Sequence, residues 1–191
     1  MINATEPPSL DASLFGFTLQ ISDASLLYLF IIVLLLLFSA FASGSESAFF
    51  SLKPKDNAAL KKDTSQRAKN ILKLLAKPQE LLATILIFNN FINVGIVILS
   101  SFVLNDIFPP NEAFAPIRFI IEVMGITLIL LLFGEVIPKI FANRNPLAVS
   151  KFAANPLRLI SKIPPISWLK LILVRGTNSI QQLGRKSTAI D

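Results

Sequence analysis

The 191-residue sequence contains no cysteine and no histidine. The first absence excludes disulfides and thiolate metal sites. The second removes imidazole as a general base and as a zinc ligand. Any metal bound here is bound by oxygen, which suits magnesium, calcium, manganese or an alkali ion. No serine has an evident base partner either, so an enzyme is not expected. Charge is scarce, at 16% of residues, where a soluble domain carries about a quarter. The first twenty-five residues hold Glu6, Asp11 and Asp23 but neither lysine nor arginine. A cleaved signal peptide wants a basic start and a shorter apolar run, so the first apolar segment is expected to stay in the protein.

What the chain does have is hydrophobicity: 53% of residues, with a mean hydropathy of +0.64. Three stretches reach the length of about 20 apolar residues that a bilayer core requires. Leu26–Phe50 contains Glu46 as its only charge, and Leu81–Leu104 contains none. Ile117–Ile140 is interrupted by Arg118, Glu122, Glu135 and Lys139. The reading is an all-α membrane protein with three transmembrane helices per protomer, spanning about 26–50, 81–104 and 117–140 within a domain of residues 26–145. Three helices are few to enclose a path, so a homodimer is expected.

The bases are distributed unevenly. Lys53, Lys55, Lys61, Lys62, Arg67, Lys69, Lys73 and Lys77 lie between the first two spans and face Asp56 and Asp63. Asn105–Pro116 has Asp106 and Glu112 and no base. Arg144, Lys151, Arg158, Lys162, Lys170, Arg175, Arg185 and Lys186 follow the third span. By the positive-inside rule the N-terminus is outside and the C-terminus cytoplasmic, in a multi-pass protein of the plasma (inner) membrane. The net charge of +6 is then mostly topology. No aromatics interleave with these bases, so nucleic acid is not an expected partner, whereas membrane lipid is.

Residues 1–25 read as an external tail, in which "SLFGFTLQI" is expected to form a short interfacial helix. Ala58, Leu60, Ala68, Ile71, Leu72, Leu74 and Leu75 recur at helical spacing, predicting one or two short helices before Pro78, where the next membrane helix starts. Residues 146–183 alternate apolar residues with Arg158, Lys162, Lys170 and Arg175. Prolines are expected to break this stretch at Pro156 and at Pro164–Pro165. It reads as juxtamembrane amphipathic helices with Trp168 as an interfacial anchor, "ISWLKLILV" being too short to span. Residues 184–191 read as a linker towards a cytosolic domain.

Each span carries one polar cluster. The first has "SGSES", in which Ser43 and Ser47 share a helix face. The second has "FNNFIN", with Asn89, Asn90 and Asn93. The third has Gly134–Glu135. Ser43 lies roughly seven residues before the end of its span, Asn90 about nine after the start of the second, and Glu135 about five before the end of the third. All three clusters can therefore meet at one depth. Pro138 supplies a reason for them to do so. A helix proline lacks an N–H and pushes away the carbonyl four residues earlier, which is that of Gly134. An unsatisfied carbonyl in lipid is costly. A cation would take it up and would neutralise Glu135 as well, with Ser43, Ser47, Asn89 or Asn90 completing an oxygen cage and Pro138 acting as a structural helix break.

Plainer readings stand beside this one. Serine and asparagine in membrane helices often only bond across an interface. Glu135 has Lys139 at i+4 and can pair with it. Glu46 can face Lys53 or the interface as a structural acid, and Glu122 can pair with Arg118. Asn93, Glu46 and Lys139 are secondary candidates for the site.

The strings "SGSESAFFSL", "NN..N" and "GEVIPK" followed by "A.R.P" resemble the membrane domain of the cyclin M (CNNM) / CorC magnesium transporter family, over roughly Leu26 to Lys162. The resemblance implies a three-helix domain that dimerises and juxtamembrane helices leading to cytosolic regulatory CBS domains. It also implies magnesium bound in an inward-facing intramembrane cavity and exported against sodium. The binding residues it carries over are Ser43, Ser47 (often threonine in the family), Asn89, Asn90, the Gly134 carbonyl and the Glu135 carboxylate. Some relatives have haemolysin-like or motility-associated roles. The alternative is therefore a dimeric membrane anchor or scaffold without transport.

Overall fold

The computed structural model describes residues 22–108 and 115–174. The expected external helix in residues 13–21, the expected linker at 184–191 and the last part of the juxtamembrane stretch lie outside these residues. The described chain is helical throughout. Its three long apolar helices are α1 (Asp23–Phe50), α4 (Pro78–Ile107) and α5 (Ala115–Arg144). Between the first two come α2 (Pro54–Lys62) and α3 (Gln66–Leu75). After the third come α6 (Pro146–Ile160) and α7 (Pro164–Val174).

Local chemistry sets these boundaries. Ser22 caps α1 by accepting the Ser25 N–H. Lys53 precedes Pro54, and its N–H donates to the Asp56 carboxylate at 3.0 Å. Ser65 caps α3 through the Ala68 N–H. Prolines 78, 146 and 164 occupy first-turn positions, where a missing N–H costs nothing. Pro156 does not break α6, contrary to the sequence expectation: the helix runs through it to Ile160. Ala153, Ala154 and Leu157 on either side of it are fully buried. Their packing outweighs one lost backbone bond.

The long helices form a bundle centred on α1, which packs along both α4 and α5. α4 and α5 touch each other chiefly around Ile121–Gly125, so they diverge towards the end of the bundle that carries the bases. The outer faces of all three are apolar and exposed, including Phe30, Phe91, Met124 and Phe133. Such surface is stable in lipid and not in water. The chain is an integral membrane protein. At the end away from the bases, Asp106 of α4 accepts the Ser25 hydroxyl at 2.7 Å and the Ser22 N–H at 3.0 Å, joining α1 to α4.

The basic end is built differently. There Leu60, Ala68, Ile71, Ala153, Ala154 and Leu157 pack against Phe49, Leu81 and Ile85 in one apolar cluster. α2 and α3 have nine and ten residues, too short to persist alone. They are held by this core, in which each large side chain contributes about 1.5–3 kcal/mol. Asn70, only 4% exposed, ties α3 to α6. Its Oδ1 accepts from Arg158 at 2.8 Å and from Gln66 at 3.1 Å, and its Nδ2 donates to Asn155 at 2.8 Å. Lys151 of α6 pairs with Asp63 at 2.9 Å, and the Ser65 N–H donates to the same carboxylate at 2.9 Å. Ala58 of the expected apolar stripe is exposed instead.

Asn70→Ala removes the three hydrogen bonds of a buried amide and should lower stability by about 1–3 kcal/mol. Lys69→Ala, on an exposed position, should shift it by less than about 0.5 kcal/mol. Thermal unfolding in detergent reads both. The Lys151 ammonium first, and then the Ser65 N–H, hold the Asp63 carboxyl well below the usual carboxylate range. A depressed pKa stabilises above the unfolded value of about 4 and loses that contribution as pH falls through the folded value. The tie between the α2–α3 turn and α6 should be constant at neutral pH and weaken only in acid. A melting-temperature profile for Asp63→Asn should accordingly fall less steeply than wild type below pH about 4.

Candidate functional site

Serines stand at 39, 43 and 47 of α1 and at its C-cap, 51, each four residues from the next. This spacing places them on one helical face that drifts slowly over about 18 Å. The face meets α4 near one end and α5 along its length. Ser39 is fully buried, and its hydroxyl lies 2.9 Å from the amide oxygens of both Asn89 and Asn93. A hydroxyl has one proton, so it donates to one amide and accepts from the other once that amide turns its NH2 inward. α5 meets the same point through Gly134. A Cβ at Gly134 would lie 2.9 Å from the Ser39 hydroxyl, closer than side chains tolerate. Three helices thus converge at one hydroxyl, because the residue on α5 has no side chain.

One turn on, Gly44 of α1 crosses Pro138 of α5. A Cβ there would sit 3.5 Å from the Pro138 carbonyl oxygen and 3.7 Å from its ring. Ser43 lies between these crossings and is 2% exposed. Further on, Ser47 and Ser51 both donate to the Asn143 amide oxygen, at 2.8 and 2.6 Å. Glu46 pairs with Lys139 at 3.1 Å. Together Glu46, Ser47, Lys139 and Asn143 line an open cavity of about 410 Å³.

The expected helix break at Pro138 is a widening instead. α5 is continuous to Arg144. Over Leu130–Val136 it takes the π form, and the Ile137 N–H bonds to the Leu132 carbonyl, five residues back. Such bulges often mark functional positions. Continued by one residue, that register places the Phe133 carbonyl opposite the proline nitrogen. The backbone oxygen freed by Pro138 thus belongs to Phe133 in the wide register and to Gly134 in the ordinary one. A second π segment covers Ile121–Gly125. Beside it Arg118 and Glu122 approach to 4.0 Å, a loose version of the expected pair.

The sequence candidates divide as follows. Asn89, Asn93 and Gly134 meet at the Ser39 hydroxyl. Ser43 is buried one turn away. Ser47 joins Asn143 rather than an α4 amide. Asn90 is exposed on α4, and Glu135 is half-buried on α5 next to Gly134. Glu135 and Lys139 do not pair: Lys139 bonds Glu46, and Glu135 makes no ion pair among the described residues. No three acidic side chains cluster among the described residues. The oxygens open to a cation are therefore hydroxyls, amides, backbone carbonyls and the single Glu135 carboxylate. Ser39, Ser51 and Asn143 escaped the sequence reading. The signal for the two serines was present, since the four-residue spacing of Ser43 and Ser47 continues one turn in each direction.

Residues 30–188 match the family described as the cyclin M transmembrane N-terminal domain. The chain belongs to that family. It is 32% identical over 154 residues to a UPF0053 protein of Haemophilus influenzae, covering 80% of this chain and 34% of the relative. It is 30% identical over 140 residues to the UPF0053 inner membrane protein YfjD of Escherichia coli K12, covering 72% of this chain and 31% of that protein. The chain thus spans about a third of the length of these cyclin M-type relatives.

The Ser39–Gly134 crossing makes a sharp prediction. Gly134→Ala gains up to about 1 kcal/mol of helix propensity but must displace a hydroxyl held by two amides, a strain of about 1–3 kcal/mol. A net drop in melting temperature is expected. Ser39→Ala should cost less, about 0.6–1.7 kcal/mol, and should restore tolerance of alanine at position 134. A double-mutant cycle in detergent measures that coupling, and additive effects would reject the contact.

Proposed function

We propose that this domain is the membrane part of a secondary transporter that moves magnesium, with export driven by sodium. One observation carries the reading. Lys139 is engaged by Glu46, so Glu135 stands unneutralised beside the crossing of α1 and α5. A charged carboxylate in an apolar helix is costly unless it meets a cation or takes up a proton. Hydroxyl and amide oxygens lie within a turn of it, and the divergence of α4 and α5 leaves a way in from the basic end. The proposed ligands are Glu135, Ser43, Asn89 or Asn90, and the backbone oxygen freed ahead of Pro138. Ser47, Glu46 and Lys139 line the approach. One carboxylate is little charge for a divalent ion, so affinity is modest, as release requires.

The positive-inside rule supports a cytoplasmic basic end and C-terminus, in the inner membrane. The widely exposed apolar faces and the exposed Asn90 support a homodimer, in which the partner covers part of this surface. The length of the relatives supports further cytosolic domains, CBS domains among them, in the full protein. Carboxylates are the only groups here that offer a general base, and the reading is non-enzymatic. The shared Ser39 hydroxyl favours a second reading, a dimeric anchor or scaffold, since a hydroxyl bridging two amides is what helix glue requires.

Thermal unfolding of the detergent-purified chain across a magnesium titration separates the two. Binding to the folded state stabilises by RT ln(1 + [L]/Kd), about 2.7 kcal/mol at a hundredfold excess over Kd. Transport predicts that wild type responds and that Glu135→Gln stays folded but does not. An equal response in both proteins, or none in either, rejects the cation site. A Glu135→Gln chain that unfolds early while wild type ignores magnesium supports the scaffold.

A further inference from the structure

A large cavity lies outside the proposed ion site. It is about 670 Å³, at the basic end, between the α1–α2 turn and the α5–α6 turn. Lys53, Lys55, Arg144 and Lys151 line it, against one acid, Asp56. Asp56 already accepts the Lys53 N–H, and Lys151 is held by Asp63. Lys53, Lys55 and Arg144 are exposed and make no ion pair among the described residues. Three like charges around one cavity give it a positive potential that favours an anion there.

The backbone adds to this. α6 opens with Pro146, which has no N–H, and its cap residue Asn145 makes no side-chain bond to the helix. The first helical bond there is from the Val149 N–H to the Asn145 carbonyl. The N–H groups of Leu147 and Ala148 precede it, and both residues line the cavity. A fifteen-residue helix thus adds its positive end to the three bases.

The position of the cavity identifies the anion. It sits where the apolar helices end. Ile140 and Phe141, one turn before Arg144, are exposed at 53% and 65%, and Phe50 is exposed just before the Lys53 turn. A molecule with a phosphate in the cavity and hydrocarbon along these side chains satisfies both surfaces. The volume far exceeds one free phosphate and accommodates a glycerophosphate headgroup. We propose that this cavity binds the headgroup of an anionic phospholipid, with Lys53, Lys55, Arg144 and the α6 N-terminus on the phosphate. Basic pockets beside membrane helices suit such headgroups. Ser51 and Asn143 line this cavity and also bond to each other at 2.6 Å. Asn143 is shared with the cavity of Ser47 and Lys139 as well, so the lipid sits one turn from the approach to the ion site. The lipid site does not depend on the transport reading.

The test is native mass spectrometry of the chain in neutral detergent, with phosphatidylglycerol and phosphatidylcholine in competition and inorganic phosphate as a third probe. Wild type should retain phosphatidylglycerol in preference to phosphatidylcholine. The triple variant Lys53→Gln, Lys55→Gln, Arg144→Gln should lose that preference by about tenfold or more. A charge-matched variant on exposed positions away from the cavity, Lys61→Gln, Lys62→Gln, Lys69→Gln, should keep it. Lys55→Gln alone gives the same reading with a smaller loss if the triple variant does not fold. Equal retention of the two lipids by wild type overturns the proposal, as does an equal loss in both triple variants. Displacement of phosphatidylglycerol by millimolar phosphate would instead assign a soluble anion and overturn the lipid.

Discussion

The rest of the bundle depends on the polar seam of α1. In lipid, apolar faces gain nothing by leaving hydrocarbon for one another, so close packing and hydrogen bonds decide how helices associate. α1 supplies both on one face. Ser39 bonds to α4 through Asn89 and Asn93. Gly44 lets Pro138 of α5 approach, and Gly134 returns the favour to Ser39. Ser47 and Ser51 take hold of Asn143 near the end of α5. α4 and α5 are positioned mainly through α1, which is why they diverge on one side and leave a polar gap open towards the bases.

The two ends of the molecule use different physics. Within the bundle few side chains are buried, and stability rests on small residues and shared hydroxyls. At the basic end Leu60, Ile71, Leu157 and their neighbours make a core like that of a small soluble protein. Asn70 fixes its register, because a buried amide with three partners tolerates one arrangement only. This core clamps the ends of α1 and the start of α4, and so holds the wide side of the gap.

Charge is sorted by the same architecture. Glu46 takes Lys139, Asp63 takes Lys151, and Glu80 takes Lys77 and Lys170. What remains over is informative. Glu135 is left within the membrane beside the π segment, and Lys53, Lys55 and Arg144 are left around a cavity at the membrane boundary. One residue lacks a cation and one cluster lacks an anion, and the readings offered for both follow from that imbalance.

Much of this was legible in one dimension. Long uncharged runs require helices that cross a bilayer, since no other structure satisfies their backbone in lipid. The prolines at 78, 146 and 164 mark helix starts because φ and the missing N–H fit only there. The polar residues of the three spans were also visible, with their approximate common depth. Which of them meet was not. Rotation about each helix axis decides whether Asn90 or Asn93 reaches α1, and the apolar pattern of a lipid-facing helix constrains rotation weakly. The partner of Lys139 was undetermined for the same reason: sequence spacing offered Glu135 four residues away, whereas packing brought Glu46 from another helix within 3.1 Å. Pro138 was expected to break α5, but a widened register absorbed it, because neighbouring packing holds the helix on either side. The sequence by itself determined that these helices exist and lie in a membrane, because burial of backbone and apolar surface is a local demand. Only the tertiary structure decided which oxygens face one another, because that is set by contacts between helices far apart in the chain.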